Sequence, residues 1–120
     1  MDNLTKAKED YLEAILVLED ENKKVHAIKI ANFLKVSRAA VTRAMQNLIK
    51  DKLIIMQPYG DISLTDEGRK AAKKVYHRHE TIKKFLLNIG VNEEIAEKDC
   101  CLIEHVISDE TMQAIENAIK

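Results

Sequence analysis

Five consecutive residues, Cys101-Leu102-Ile103-Glu104-His105, place a thiol, a carboxylate and an imidazole at i, i+3 and i+4. On a helix these three fall on one face. Each is a ligand for a first-row transition metal. Apolar residues fill the intervening positions, which turns that face inward, and a buried charged cluster is costly unless something neutralises it. A metal cation would do so. His79 and the i, i+3 pair Asp10/Glu13 offer further donors. Each group also has a plainer reading. Asp10 and Glu13 can be solvated helix residues, His79 a surface histidine like His77 or His26, and Cys101 a small buried hydrophobe. Cys100 is assigned to that last class.

Six helices must position these groups. Apolar residues Tyr11, Leu12, Ile15, Leu16 and Leu18 recur at helical spacing between residues 6 and 21. A short second helix covers residues 25–34, with Ile28, Ala31 and Leu34 facing in. Ser37 is a strong N-cap for a third helix to about Lys50, whose inner stripe is Val41, Met45, Leu48 and Ile49. Residues 53–56 and 62–64 read as two strands joined by the turn sequence Gln57-Pro58-Tyr59-Gly60-Asp61. Thr65 caps a long fourth helix that Gly90 ends. Asn92 caps a fifth through about Val106, and Ser108 a short sixth.

The fold class predicted is all-α with a small β-hairpin: a winged helix-turn-helix over residues 1–72, then a helical dimerisation and metal-binding lobe over 73–120. Three Gly, one Pro and no Trp among 120 residues agree with long helices and an aliphatic core. Two adjacent Cys form no disulfide framework. With neither a signal pattern nor an apolar run of the roughly 20 residues that span a bilayer, a cytoplasmic protein with no membrane partner is expected.

The net charge is only −1, but it is unevenly spread. Residues 35–88 carry 12 Lys/Arg against 5 Asp/Glu, whereas residues 89–120 carry 2 against 8. A basic middle suits phosphates and an acidic end suits cations. The run Arg69, Lys70, Lys73, Lys74 is equally explained as a solvated helix face.

Helix, short turn, capped helix and hairpin is the winged helix-turn-helix order. The third helix offers Arg38, Ala39, Ala40, Thr42, Arg43 and Gln46 to a DNA groove. Arg and Gln make bidentate contacts with guanine and adenine, and Thr42 suits a thymine methyl. Ser37 and the helix N-terminus suit a phosphate. Tyr59, at the hairpin tip, can lie along the backbone. Many such turns place Gly where Lys35 stands; a positive φ there costs about 1 kcal/mol. A winged helix that docks protein instead of DNA is the alternative.

The chain resembles the diphtheria toxin repressor family of metal-dependent transcription regulators, most of all its short, manganese-sensing branch. The resemblance rests on Glu9-Asp10-Tyr11-Leu12-Glu13, Ser37 to Leu53, Leu64-Thr65-Asp66-Glu67-Gly68, His77-Arg78-His79-Glu80 and the segment from Cys101 to Glu110. It implies metal ligands at Asp10, Glu13, His79, Cys101, Glu104 and His105. Asp10 matches the manganese branch and Cys101 the iron branch, so this chain mixes the two. Lys83 and Glu97 stand where the iron branch's extra site has a carboxylate and a histidine. The SH3-like tail domain of longer members is expected to be lacking.

The resemblance implies a homodimeric repressor of metal-uptake genes that binds double-stranded operator DNA when one or two Mn(II) or Fe(II) ions are held, with no small organic substrate. Thiolate favours softer ions and carboxylate harder ones. Candidate seam residues between copies are Val75, Ile82, Phe85, Leu86, Ile89, Ile103, Ile107, Met112, Ile115 and Ile119. Three other readings remain. One is a winged-helix regulator that senses oxidation at Cys101 or Cys100 without metal. The second is a protein-docking module. The third is a di-metal hydrolase, which the sequence disfavours: it has no evident base or nucleophile beyond these ligands and no Gly-rich phosphate cradle. No enzyme is expected.

Overall fold

A computed structural model describes residues 5–22 and 24–119. Along the chain run α1 (Lys6–Asn22), α2 (Ala27–Leu34), α3 (Arg38–Lys50), β1 (Ile54–Met56), β2 (Ile62–Leu64), α4 (Asp66–Asn88), α5 (Glu93–Ile103) and α6 (Asp109–Ala118). The chain forms two compact units that meet at Lys73/Lys74, within α4.

In the first unit, Leu12, Ile15, Leu16 and Leu18 of α1 pack with Ile30 and Ala31 of α2, Val41, Met45 and Leu48 of α3, and Ile54, Ile62 and Leu64 of the hairpin. Burying each Leu or Ile contributes roughly 1.5–3 kcal/mol. The hairpin is antiparallel, pairing Ile54 with Leu64, Ile55 with Ser63 and Met56 with Ile62. Val25 adds an isolated bridge to Ile62. This is the expected winged helix-turn-helix, with two differences in detail. Ile28 and Ile49, assigned to the core from helical spacing, are exposed. The inward face of α2 is set by Ile30 and Ala31; Ile30, two residues on from Ile28, lies about 200° round the helix.

Two lysines carry turns that usually use glycine. Lys35 ends α2 at φ 59° and Lys52 follows α3 at φ 64°. After α3, the Lys52 amide donates to the Ile49 carbonyl and the Leu53 amide to that of Leu48, both at 2.9 Å. These are the paired bonds of a Schellman ending, here made without the usual glycine. Gly68, by contrast, has no substitute: a Cβ there would lie 1.9 Å from the Leu53 carbonyl oxygen. That close approach lets α4 start against the end of α3. The Thr65 hydroxyl secures the junction, donating to the Lys52 carbonyl at 2.8 Å and accepting from the Gly68 amide at 3.0 Å.

The second unit is held by a much smaller core of Ile82, Cys100 and Met112, flanked by Leu86, Ile103 and Ile107. Ile82 and Met112 are therefore taken up inside the chain and are unavailable for a seam between copies, and Val75 is buried as well. Gly90, at φ 102°, ends α4 as expected. Asn92 and Ser108 cap α5 and α6 through the Ile95 and Thr111 amides. Helix α5 stops at Ile103, three residues short of the expected Val106. The chain then tightens: the Glu104 amide still bonds the Cys100 carbonyl four residues back, but those of His105 and Val106 reach only three back.

Candidate metal centre and nucleic-acid interface

The tightened turn decides how the C-terminal donors lie. Cys101 is on α5, whereas Glu104 and His105 stand just past its end, so the three do not share one regular helical face. The turn still brings the latter two together. The Glu104 side chain is 1 % exposed and that of His105 3 %, with Nε2 of His105 3.4 Å from the carboxylate. His79, from α4, places Nδ1 2.8 Å from the other oxygen, Oε1. A buried carboxylate thus lies between two imidazoles. Arg78 braces it from outside the donor set. One guanidinium nitrogen donates to the Glu104 carbonyl at 3.1 Å and another to Asp109, at the start of α6, at 2.7 Å.

A second cluster shares His79. Its Nε2 lies 3.2 Å from Glu97 and 3.7 Å from Sγ of Cys100. Sγ of Cys101 is 3.6 Å from Glu97 and 3.9 Å from Nδ1 of His79. Lys83 caps the other Glu97 oxygen at 3.1 Å. Burial pushes the Glu97 carboxyl up, but the Lys83 hydrogen bond and the His79 and Lys83 charges outweigh it and hold the group below its ordinary range. Burial, with the Glu97 and Glu104 charges nearby, pushes the Cys100 thiol up to about 11. Burial and the neighbouring Cys100 push Cys101 up to about 12. From the sequence alone, Cys100 has a role only as an alternative oxidation sensor, Lys83 and Glu97 enter only as departures from the iron branch's extra site, and Arg78 has no assigned role. The i, i+3, i+4 spacing of Glu97, Cys100 and Cys101 was the available signal. Nothing in the local sequence marks Arg78.

Asp10 and Glu13 belong to the first unit. They stand one turn apart on α1, both partly buried, and Lys6 pairs with Asp10 at 3.0 Å.

The expected reading helix, α3, is also in the first unit. The Ser37 hydroxyl accepts from the Ala40 amide at 3.0 Å, as a cap should. Arg38, Ala39, Thr42, Arg43 and Gln46 are exposed and Ala40 is partly buried. Tyr59 is 72 % exposed at the hairpin tip. The Thr42 hydroxyl donates to the Arg38 carbonyl at 3.0 Å, so it is already engaged within the helix. Arg38, Thr42 and Gln46, each one turn apart, line a groove of about 430 Å³ with Ile28, Ile49 and Met56. The two isoleucines that leave the core thus form an apolar floor beside a polar reading face.

Two family models cover the chain. The iron dependent repressor N-terminal DNA binding domain matches residues 3–62. The iron dependent repressor metal binding and dimerisation domain matches residues 65–120. An uncharacterized HTH-type transcriptional regulator of Methanocaldococcus jannaschii is 33% identical over 114 residues, covering 93% of this chain and 91% of its own length. The HTH-type transcriptional regulator MntR of Bacillus subtilis is 35% identical over 116 residues, covering 97% of this chain and 82% of its own. Among solved structures, a manganese-dependent transcriptional repressor in complex with manganese superposes with a TM-score of 0.86 at 27% identity, over 92% of this chain and 51% of that one. The metal-dependent transcriptional regulator MtsR gives 0.88 at 25% identity, over 97% and 54%. The present chain thus spans about half the length of these two structures.

Proposed function

Because the chain belongs to the iron-dependent repressor family, we propose that it is a homodimeric repressor whose grip on operator DNA depends on a divalent cation. The observation that carries this reading is the Glu104 carboxylate, 1 % exposed and 2.8 Å from His79. A charged group so buried needs compensation. Its neighbours are nitrogen, oxygen and sulfur donors, the set from which Mn(II), Fe(II) and softer ions select. The residues present therefore fit a divalent cation.

His79, Cys101, Glu104 and His105 supply the second unit's ligands, and Asp10 and Glu13 supply those from α1. A bound divalent cation would neutralise these carboxylates. Glu104 holds the His79 ring by its Nδ1 side. Arg78 keeps the Glu104 turn closed by tying its carbonyl to α6. On α3, Ser37 orders the helix start for a phosphate, while Arg38, Arg43 and Gln46 read base edges. In a dimer, two such helices must lie about one DNA turn apart, roughly 34 Å or a multiple of it. Metal binding would bias that spacing. The bias is limited to the difference in metal affinity between DNA-competent and incompetent states.

A seam between copies draws on apolar residues that the second unit leaves exposed, among them Leu87, Ile89, Leu102 and Val106. Control of metal-uptake genes from a cytoplasmic location, without catalysis, completes the reading. The oxidation-sensing alternative calls for low-pKa thiols, whereas burial pushes Cys100 and Cys101 up to about 11 and about 12. The test is a titration of metal-free protein with Mn(II), Fe(II), Co(II) and Zn(II). It follows binding to a palindromic duplex selected from a random library and counts metal per chain. The reading expects binding to rise with metal occupancy. Equal binding in excess chelator would refute it.

A further inference from the structure

We propose that Cys100, Cys101, His79 and Glu97 form a second, thiophilic metal site, contained in the second unit and distinct from the carboxylate-rich set of the proposed function. It shares His79 and Cys101 with that set but needs neither Asp10, Glu13 nor His105. Donor atoms of the four residues all lie within 4.8 Å of one another.

Three of the six donor–donor spacings are close to those of a tetrahedral site. Bond lengths of about 2.3 Å to sulfur and about 2.0–2.1 Å to nitrogen or oxygen fix the edges of such a tetrahedron. Two N/O donors then lie about 3.3 Å apart, and an N/O donor and a sulfur about 3.5 Å apart. Here Nε2 of His79 is 3.2 Å from Oε2 of Glu97 and 3.7 Å from Sγ of Cys100. Sγ of Cys101 is 3.6 Å from the same Glu97 oxygen. The polypeptide already holds these edges close to the values an ion would set.

The surroundings are those of a built site. Histidine ligands of metals commonly donate their second ring nitrogen to a carboxylate, which fixes the tautomer and raises ligand basicity. Glu104 takes that place, with Oε1 2.8 Å from Nδ1 of His79. Both Glu97 oxygens lie near Nε2 of His79, at 3.2 and 3.3 Å; Lys83 engages Oε1 at 3.1 Å, which leaves Oε2 for an ion. Charge balances as well: two thiolates and one carboxylate carry −3, and a divalent ion with the Lys83 ammonium restores neutrality. Two sulfurs, an imidazole and one carboxylate select Zn(II), Cd(II) or Co(II) over Mn(II). An ion held here takes His79 and Cys101 away from the hard site, so a thiophilic metal competes with the activating one.

The experiment adds cobalt(II) chloride to the metal-free full-length chain under reducing conditions, then back-titrates with zinc chloride. Expected is one Co(II) per chain with the intense visible absorption of a tetrahedral ion and a thiolate-to-cobalt charge-transfer band, both lost as Zn(II) displaces it. Cys100→Ser should weaken the charge-transfer band and lower Co(II) affinity about tenfold or more. Glu97→Gln keeps both thiols and substitutes a partly exposed side chain, so it decides the matter if Cys100→Ser does not fold; it too should lower the affinity about tenfold or more. Asp10→Ala should keep the thiolate band while losing the Mn(II) response, which separates this site from the hard one. A weak octahedral spectrum without a thiolate band would overturn the proposal, as would wild-type Co(II) affinity in Glu97→Gln.

Discussion

The two units solve the folding problem with different materials. The first draws its core from every element between α1 and α4 and seals it with aliphatic side chains. The second has Ile82, Cys100 and Met112, and beside them the Glu104 carboxylate, two imidazoles and the Cys101 thiol. A segment this short buries too little apolar surface to be robust alone. In the proposed function, the first unit's aliphatic core holds the reading face of α3 in place. The second leaves part of its stability to whatever occupies its polar centre. A sensor needs that asymmetry, because only an element poised near balance can be shifted by a ligand.

The contrast is most open to attack through the cores. Ile15→Ala, in the first unit, should cost about 2–5 kcal/mol, and Mn(II) should return only part of the hydrogen-exchange protection in α2 and α3, which carry none of the proposed ligands. Met112→Ala should cost a similar amount in α5 and α6. There, Mn(II) at about 100 times its Kd should return roughly 2.7 kcal/mol of protection. Metal rescue of Ile15→Ala to the same degree would erase the distinction.

A smaller effect tests the reading face. Arg43→Ala should weaken binding to a selected operator duplex by about 1–3 kcal/mol and relax base preference at one position, with metal content unchanged. Full retention of affinity in fluorescence anisotropy would move the contact elsewhere. The smallest effect concerns the first unit's own strain. Lys35→Gly, at φ 59°, should raise its stability by about 1 kcal/mol in urea unfolding, and no gain would mean that the lysine is held there without penalty. Thiol chemistry sharpens the second unit's side of the contrast. Cys100 and Cys101, pushed up to about 11 and about 12, stay protonated at neutral pH. Alkylation of the metal-free protein should therefore be slow at pH 7 and accelerate as pH rises toward 11; rapid labelling at pH 7 would reverse that assignment.

The same contrast governs how much could be read from the sequence. The polar caps at Ser37, Thr65, Asn92 and Ser108 were legible because a side-chain oxygen and an amide three residues on are a local matter. All four make that bond. The positive φ at Lys35 was legible from the turn alone. Packing was less so. Helical spacing cannot tell which of two adjacent apolar rows faces in, and Ile28 and Ile49 ended outside. Nor can it show that Ile82 and Met112 are used within one copy rather than between two. In the candidate site, Cys101, Glu104, His105 and His79 were found by type and spacing. The end of α5 at Ile103 was not, since the turn that follows is tied down by distant residues, Arg78 and His79. Cys100 was passed over because a buried thiol is usually a small hydrophobe, and only distances to His79 and Glu97 distinguish the two roles.

The central claim is that a divalent ion held at His79, Glu104 and His105 controls DNA binding. Its most direct test compares operator affinity in Mn(II) and in chelator for the wild-type chain and for His105→Ala. The account predicts a metal-dependent gain of about 5–150-fold in the wild type and none in the variant. An undiminished metal response in His105→Ala would contradict it.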